Sequence, residues 1–224
     1  MDSDALPFLP RTVVFDADST LVGIEGIDWL AEGRSAAVGE RIATLTAEAM
    51  AGTRPLEGVY GERLAAVAPS VEEIAALGEA YVGAVAPGAA ELVRDLQRSG
   101  IRTVIVSGGL HDALVPLGAH LGIPAADVHG VAVRFAADGA YADYDRASPL
   151  TQQGGKATLV AGLGLQRPIV AVGDGSTDLM IRSAGAADLF VAYFGFARRD
   201  AVVHEADFRC ANYGALRALL LPLR

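Results

Sequence analysis

Three short apolar runs, each followed by small polar residues and then by a helical pattern, constrain the fold more than any other feature of this sequence. The runs occupy residues 11–15, 101–106 and 168–172, and residues 188–192 form a fourth candidate. Short apolar runs bounded by turn residues are typical of strands buried in a parallel sheet. Helical patterns lie at residues 88–99, 110–122, 154–163, 176–185, 197–206 and 213–221. This alternation predicts an α/β fold, in which a Rossmann-like parallel sheet is flanked by helices.

Residues 22–85 interrupt the alternation of strand and helix. Their pattern is almost entirely helical, with turn signals at Gly39, Gly52 and Pro69. A segment of about 60 residues is too long for one crossover helix and suits a small helical bundle. We therefore predict a helical cap subdomain at residues 22–85, inserted after the first strand. The predicted core domain consists of residues 1–21 and 86–224.

A further strand signal lies between the second and third apolar runs. Residues 128–145 contain Asp138 and Gly139, a turn signal. This pattern predicts a β-hairpin at the edge of the sheet.

The charge and the cysteine count exclude several classes of protein. The 224 residues carry a net charge of −9, which argues against nucleic acid or an anionic membrane surface as partner. The sequence starts without the basic and apolar regions of a secretory signal, and we find no apolar run of membrane-spanning length. Cys210 is the single cysteine, so an internal disulfide is excluded. We expect a cytoplasmic protein, either a monomer or a homodimer.

Lysine usage is unusual, because 17 of the 18 basic residues are arginine and Lys156 is the only lysine. One interpretation is that a chain rich in arginine keeps this lysine for its chemistry. The other is that Lys156 is a surface lysine that survives by chance. Composition alone favours neither interpretation.

Each of the three main strands ends in a polar or glycine-rich cluster. The clusters are DADST at residues 16–20, SGG at residues 107–109 and GDGSTD at residues 173–178. Because the carboxyl ends of parallel strands meet at one edge of a sheet, these side chains are expected to converge there. Each cluster alone could be a turn or a helix cap. Their occurrence on successive strand ends favours a functional site.

Four carboxylates in these clusters would repel one another in a partly desolvated cleft. They belong to Asp16, Asp18, Asp174 and Asp178. A hard divalent cation with oxygen ligands compensates such a charge, and Mg²⁺ fits this chemistry. Lys156 is a candidate for a second compensating charge.

The order of these motifs resembles that of the haloacid dehalogenase superfamily, in particular its phosphoserine phosphatase branch. The resemblance covers a nucleophile motif at residues 16–20, a serine motif at Ser107, the lysine at Lys156 and an acidic motif at residues 173–178. It extends into the predicted cap. The matching features there are the segment EGID at residues 25–28, the segment AMAG at residues 49–52 and Arg63.

The resemblance implies Mg²⁺-dependent hydrolysis of a small phosphorylated metabolite, most simply L-phosphoserine in serine biosynthesis. Asp16 would attack phosphorus to form an aspartyl-phosphate. Asp18 would protonate the leaving alcohol and then activate water. The implied metal ligands are Asp16, the backbone carbonyl of Asp18 and the side chain of Asp174. Lys156 would neutralise charge in the transition state, and Asp178 would support the metal and the lysine.

The same resemblance implies a set of substrate contacts. Glu25 and Arg63 would bind the ammonium and the carboxylate of phosphoserine. The remaining implied contacts are with Ser107, Gly108, Gly109, Thr177 and Met50.

Three departures from the usual pattern leave other substrates open. Leu56, Val59 and Tyr60 stand where the family usually has phenylalanine, serine and leucine. The alternatives are hydrolysis of phosphohomoserine or phosphoethanolamine, or transfer of the phosphoryl group to an acceptor. An inactive phosphate-binding regulatory protein is a further alternative, and the four intact motifs argue against it.

Overall fold

A six-stranded parallel sheet forms the centre of the molecule in the computed structural model. The structure describes residues 6–50, 54 and 56–221, apart from the side chains of residues 49, 50, 56 and 57. The strands, with a separate antiparallel pair, are β1 (Thr12–Phe15), β2 (Arg102–Leu110), β3 (Val128–Val131), β4 (Val133–Phe135), β5 (Tyr141–Tyr144), β6 (Ile169–Gly173), β7 (Leu189–Tyr193) and β8 (Phe208–Cys210). The sheet order is β3-β2-β1-β6-β7-β8, and β4 pairs with β5. The predicted α/β class with a parallel sheet is confirmed.

Helices connect the strands and cover the sheet. Those before β2 are α1 (Gly26–Glu32), α2 (Ala36–Met50), α3 (Leu56–Val67), α4 (Val71–Gly83) and α5 (Ala89–Arg98). Those after β2 are α6 (His111–Leu121), α7 (Gly155–Gly162), α8 (Ser176–Ser183), α9 (Asp200–Glu205) and α10 (Tyr213–Leu220). No helix in the described part of the chain has the length and apolarity needed to cross a membrane.

Two details of the sheet differ from the sequence prediction. The first residues of the predicted hairpin, Val128–Val131, form the edge strand β3 and pair in parallel with β2. The hairpin itself is limited to β4 and β5, with its turn at Asp138 and Gly139 as predicted. The short strand β8 was not predicted, because it has three residues and an exposed arginine, Arg209, at its centre.

The sequence between β1 and α5 forms the four helices α1 to α4, in agreement with the predicted helical pattern. Ser70 begins α4 with a capping box, in which its hydroxyl accepts from the amide of Glu73 and the Glu73 carboxylate accepts from the amide of Ser70. The same glutamate forms a bidentate pair with Arg34 at 2.6 and 2.8 Å. These contacts fix α4 against the end of α1.

One of these four helices also packs on the sheet layer. Helix α4 lies against α6, and a Cβ atom on Gly78 would come 3.1 Å from the Pro116 side chain. Tyr81, near the end of α4, is completely buried. Helix α4 therefore connects the group formed by helices α1, α2 and α3 to the helices that cover the parallel sheet.

The register of the sheet aligns the ends of three strands. Phe15 at the end of β1 lies beside Ile105 of β2 and Val172 of β6. All of these positions are buried, because the strands are covered on both faces. The residues that follow Phe15, Ile105 and Val172 consequently emerge at one edge of the sheet.

Candidate active site

A single cleft at this edge is lined by residues from all three strand-end clusters and from the helices after β1. Its walls include all but one of the twelve candidate residues. These are Asp16, Asp18, Glu25, Arg63, Ser107, Gly108, Gly109, Lys156, Asp174, Thr177 and Asp178. The exception is Met50, whose side chain lies outside the described residues.

Lys156 lies in the first turn of α7 and is 7% exposed. Its Nζ atom lies 2.7 Å from Oδ1 of Asp16 and 2.7 Å from Oδ1 of Asp178. Burial disfavours the charged amine, but the carboxylates of Asp16 and Asp178 outweigh that effect and raise the pKa of Lys156 above its usual value. Lys156 is thus a buried ammonium in the cleft and not an exposed surface lysine.

The backbone before Lys156 approaches its neighbours very closely. A Cβ atom on Gly155 would collide with the carbonyl oxygen of Pro149. Glycine at this position therefore allows α7 to begin where Lys156 can reach Asp16.

Asp18 has a different environment from Asp16, although only one residue separates them. Its Oδ1 accepts a 2.6 Å hydrogen bond from the Tyr81 hydroxyl, and its Oδ2 accepts a 3.2 Å bond from the Gly26 amide. Burial, together with the charges of Glu25 and Asp16, raises the pKa of Asp18 to about 8. A carboxyl group with this pKa is mainly protonated at neutral pH, as a general acid requires.

The acidic motif after β6 places two carboxylates beside the first. Oxygen atoms of Asp16, Asp174 and Asp178 all lie within 4.8 Å of one another, an arrangement consistent with a divalent metal. The Asp178 oxygens accept from Lys156 and from the Gly175 amide at 2.7 and 3.0 Å. Burial and the charge of Asp16 raise the pKa of Asp178 to about 7, although Lys156 acts in the opposite direction.

The serine motif continues β2 beyond its regular part. The register with β3 shifts between Val106 and Leu110, so the chain is irregular at the three residues of the motif. The Ser107 hydroxyl accepts a 3.1 Å bond from the Gly109 amide, and the Gly108 carbonyl accepts a 2.9 Å bond from the Tyr60 hydroxyl. The motif is therefore held to α3 and lies at the cleft.

Arg63 enters the cleft from α3 and is 6% exposed. Its Nη2 atom lies 3.4 Å from Oδ1 of Asp28 in α1. Its Nε atom is buried and has no hydrogen-bond partner among the described residues. A buried guanidinium with an unpaired donor is suited to bind an anion that enters from solution.

Glu25 contributes a negative charge to the cleft and lies just before α1. Its Oε1 accepts a 2.7 Å bond from the Ser19 hydroxyl. Ser19 has a φ of 53°, an uncommon backbone conformation for a serine, and it turns the chain after Asp18. Burial and the charge of Asp16 raise the pKa of Glu25, while the Ser19 bond and the charge of Arg199 act in the opposite direction.

Two side chains contact the predicted carboxylates and were not identified as site residues from the sequence. Arg199, which precedes α9, forms an ion pair with Asp174 and lies 3.7 Å from Oε1 of Glu25. Tyr81, on α4, donates a hydrogen bond from its hydroxyl to Asp18. Neither residue belongs to a strand-end cluster. An arginine among 17 and a tyrosine on a buried helix face carry no local signal of such contacts.

Comparison with known proteins reveals similarity over most of the chain. Residues 13–181 match the family model of the haloacid dehalogenase-like hydrolases. The chain is 35% identical to the chloroplastic phosphoserine phosphatase of Arabidopsis thaliana over 209 residues, which cover 92% of this chain and 70% of that protein.

Two solved structures resemble the whole fold. A phosphoserine phosphohydrolase-like protein from Francisella tularensis subsp. tularensis SCHU S4 has a TM-score of 0.88 at 27% identity, covering 94% of this chain and all of that one. A phospho-aspartyl intermediate analogue of phosphoserine phosphatase has a TM-score of 0.77 at 25% identity, covering 95% of this chain and all of that one.

Proposed function

The chain belongs to the haloacid dehalogenase-like hydrolases, in the phosphoserine phosphatase-like branch, and from this premise we propose that it hydrolyses L-phosphoserine through an aspartyl-phosphate on Asp16. The observation that carries the proposal is the contrast between its two neighbouring carboxyl groups. Asp16 is paired with the ammonium of Lys156, whereas burial raises the pKa of Asp18 to about 8. One group is therefore ready to attack as a carboxylate, and the other is ready to donate a proton.

The proposed reaction has two steps. Asp16 attacks phosphorus, the bond to the serine oxygen breaks, and Asp18 gives its proton to that oxygen. In the second step Asp18 takes a proton from water, which attacks the phosphoryl group and releases Asp16. Ser107 and the amide of Gly108 would hold phosphoryl oxygens, and Gly109 would contact the substrate beside them.

Lys156 would oppose the negative charge that develops on the phosphoryl group. It is suited to this role because its charge is fixed within 2.7 Å of the nucleophile. The two oxygens of Asp178 are already used by Lys156 and by the Gly175 amide. We therefore assign Asp178 to the positioning of Lys156.

The acidic cluster fits Mg²⁺, because hard cations of this size prefer carboxylate oxygens. Asp16, Asp174 and the backbone carbonyl of Asp18 would hold the ion. When bound, it offsets the repulsion between the Asp16 carboxylate and the phosphoryl oxygens. Arg199, which pairs with Asp174, supplies positive charge at the same carboxylate.

Substrate selection is assigned to the predicted cap at residues 22–85, above the core of residues 1–21 and 86–224. Arg63 would bind the substrate carboxylate with its unpaired donor, and Glu25 the ammonium. Met50 would provide an apolar wall, and Thr177 a contact from the core side.

Two of the three departures from the family pattern can be placed relative to the cleft. Val59 is completely buried and does not line it, whereas Tyr60 does. The change to Val59 therefore alters packing, and the change to Tyr60 alters the wall of the cleft. The side chain of Leu56 lies outside the described residues.

We expect Arg63→Ala to lower kcat/KM for phosphoserine by about 10–150-fold, because a charged hydrogen bond worth about 1.5–3 kcal/mol is lost. The same variant is expected to hydrolyse phosphoethanolamine and p-nitrophenyl phosphate at nearly the wild-type kcat/KM, because neither ester has a carboxylate for Arg63 to bind. The measurement is phosphate release with Mg²⁺ for all three esters.

Arg41→Ala is the matched control for this variant. Arg41 lies on α2 and is 65% exposed, and its 3.5 Å ion pair with Glu62 is on the surface. It should leave all three rates unchanged. Equal losses by Arg63→Ala on the three esters would mean that Arg63 is structural, and a wild-type preference for an ester without a carboxylate would refute phosphoserine as the substrate.

A further inference from the structure

The hydroxyl of Tyr81 is the closest side-chain partner of Asp18. It lies 2.6 Å from Oδ1, whereas the other carboxylate oxygen accepts a longer bond of 3.2 Å from the Gly26 amide. Tyr81 is completely buried on α4. It therefore reaches Asp18 from the protein interior, while Asp18 itself lines the cleft.

The space around this hydroxyl is formed by two glycines from different elements. A Cβ atom on Gly26 would collide with the hydroxyl oxygen, and a Cβ atom on Gly109 would lie 3.2 Å from it. Gly26 begins α1, and Gly109 belongs to the serine motif of β2. Gly26 must therefore be glycine for the tyrosine hydroxyl to reach Asp18, whereas a Cβ atom at Gly109 would be in tight contact with the hydroxyl.

The hydrogen bond runs from the Tyr81 hydroxyl to a carboxyl oxygen of Asp18, so the hydroxyl is the donor. The Gly26 amide holds the other oxygen of the same carboxyl group. Helix α4 is itself fixed against α6, so the donor has a firm support.

We propose that Tyr81 is a positioning residue, whose hydroxyl orients the Asp18 carboxyl group for proton transfer to the leaving alcohol. This inference rests on the proposed function. In the step concerned, the bond from Asp16 to phosphorus forms and the bond from phosphorus to the alcohol oxygen breaks. The proton moves from Asp18 to that oxygen, and Tyr81 keeps its own proton throughout.

Esters that differ in their need for a proton test this role. The alkoxides of serine and ethanolamine must be protonated as they leave, whereas p-nitrophenolate leaves as an anion. Tyr81→Phe is expected to lower kcat/KM for phosphoserine and for phosphoethanolamine by about 10- to 30-fold. The kcat/KM for p-nitrophenyl phosphate should stay within about twofold, because kcat/KM reports only the first step. KM should change little, since Tyr81 does not touch the substrate.

Tyr213→Phe is the matched control. Tyr213 is also buried, and its hydroxyl donates a 3.0 Å bond to the Thr20 carbonyl instead of to a carboxylate. Removing this hydroxyl should leave the ratio of alkyl to aryl rates unchanged. Replacement of Tyr81 by 4-aminophenylalanine keeps a hydrogen-bond donor on a ring of similar size. This variant should recover part of the rate on the alkyl esters, and it tests the role of Tyr81 even if Tyr81→Phe folds poorly.

Three results would overturn the role of Tyr81: equal losses on alkyl and aryl esters, no loss on either, or no recovery with 4-aminophenylalanine. Failure of the proposed function would look different. In that case the wild-type enzyme would not release phosphate from phosphoserine, while the comparison of phosphoethanolamine with p-nitrophenyl phosphate would still test Tyr81.

Discussion

Asp16→Asn is expected to reduce phosphate release by at least about 10³-fold, because an amide cannot form the covalent intermediate. The fold should be retained, since asparagine has the same shape and Lys156 keeps its 2.7 Å contact with Asp178. The measurement is steady-state phosphate release from phosphoserine with Mg²⁺, combined with mass spectrometry of rapidly quenched enzyme. The wild type should carry a phosphoryl adduct at Asp16, and the variant none.

Asp127→Asn is the matched control for the loss of a buried carboxylate. Asp127 is 8% exposed and pairs with Arg102, away from the cleft. We expect this variant to alter the melting temperature and to leave turnover close to the wild-type value. Near wild-type phosphate release by Asp16→Asn, or an adduct on another residue, would refute the assignment of the nucleophile.

Lys156→Arg is expected to lower kcat by about 10²-fold or more, even though the positive charge is kept. The lysine is buried, and its single nitrogen lies 2.7 Å from both Asp16 and Asp178. A guanidinium is planar and larger, so it cannot place one compact charge between these carboxylates and the phosphoryl group. The measurement is kcat at saturating phosphoserine, with the melting temperature recorded for both proteins.

The reverse exchange at an ordinary ion pair is a suitable control for this variant. Arg167→Lys alters a half-exposed partner of Asp188, 2.8 Å away, and should leave kcat unchanged. If Lys156→Arg kept most of the wild-type kcat, the lone lysine would have no special role in catalysis.

The parts of the site that the sequence predicted are those carried by strand ends. Asp16 and Asp174 directly follow β1 and β6, and Ser107 lies in β2 just beyond its regular pairing with β3, so the geometry of a parallel sheet brings the three together. The alternation of apolar runs and helical patterns likewise predicted the class of fold. Burial of whole strands is a strong signal, because it leaves uninterrupted apolar runs in the sequence.

The remainder depends on contacts between residues that are distant in sequence. Tyr81 reaches Asp18 across 63 positions only because α4 packs against α6. The parallel pairing of β3 and the existence of β8 depend on which edge of the sheet is free, and three or four residues carry too little pattern to decide it. Local sequence reasoning could identify Tyr81 as buried but not the partner of its hydroxyl.

The position of Lys156 also determines how the protein responds to amine chemistry. It is the only lysine of the chain, and every other basic side chain is an arginine. Reagents that acylate or cross-link lysine side chains therefore have one target, which is enclosed by two carboxylates and holds its proton tightly. Acylation there would remove the charge to which we assign the stabilisation of the phosphoryl group. Lysine labelling of this protein would thus report on the state of the active site and not on the accessibility of the surface.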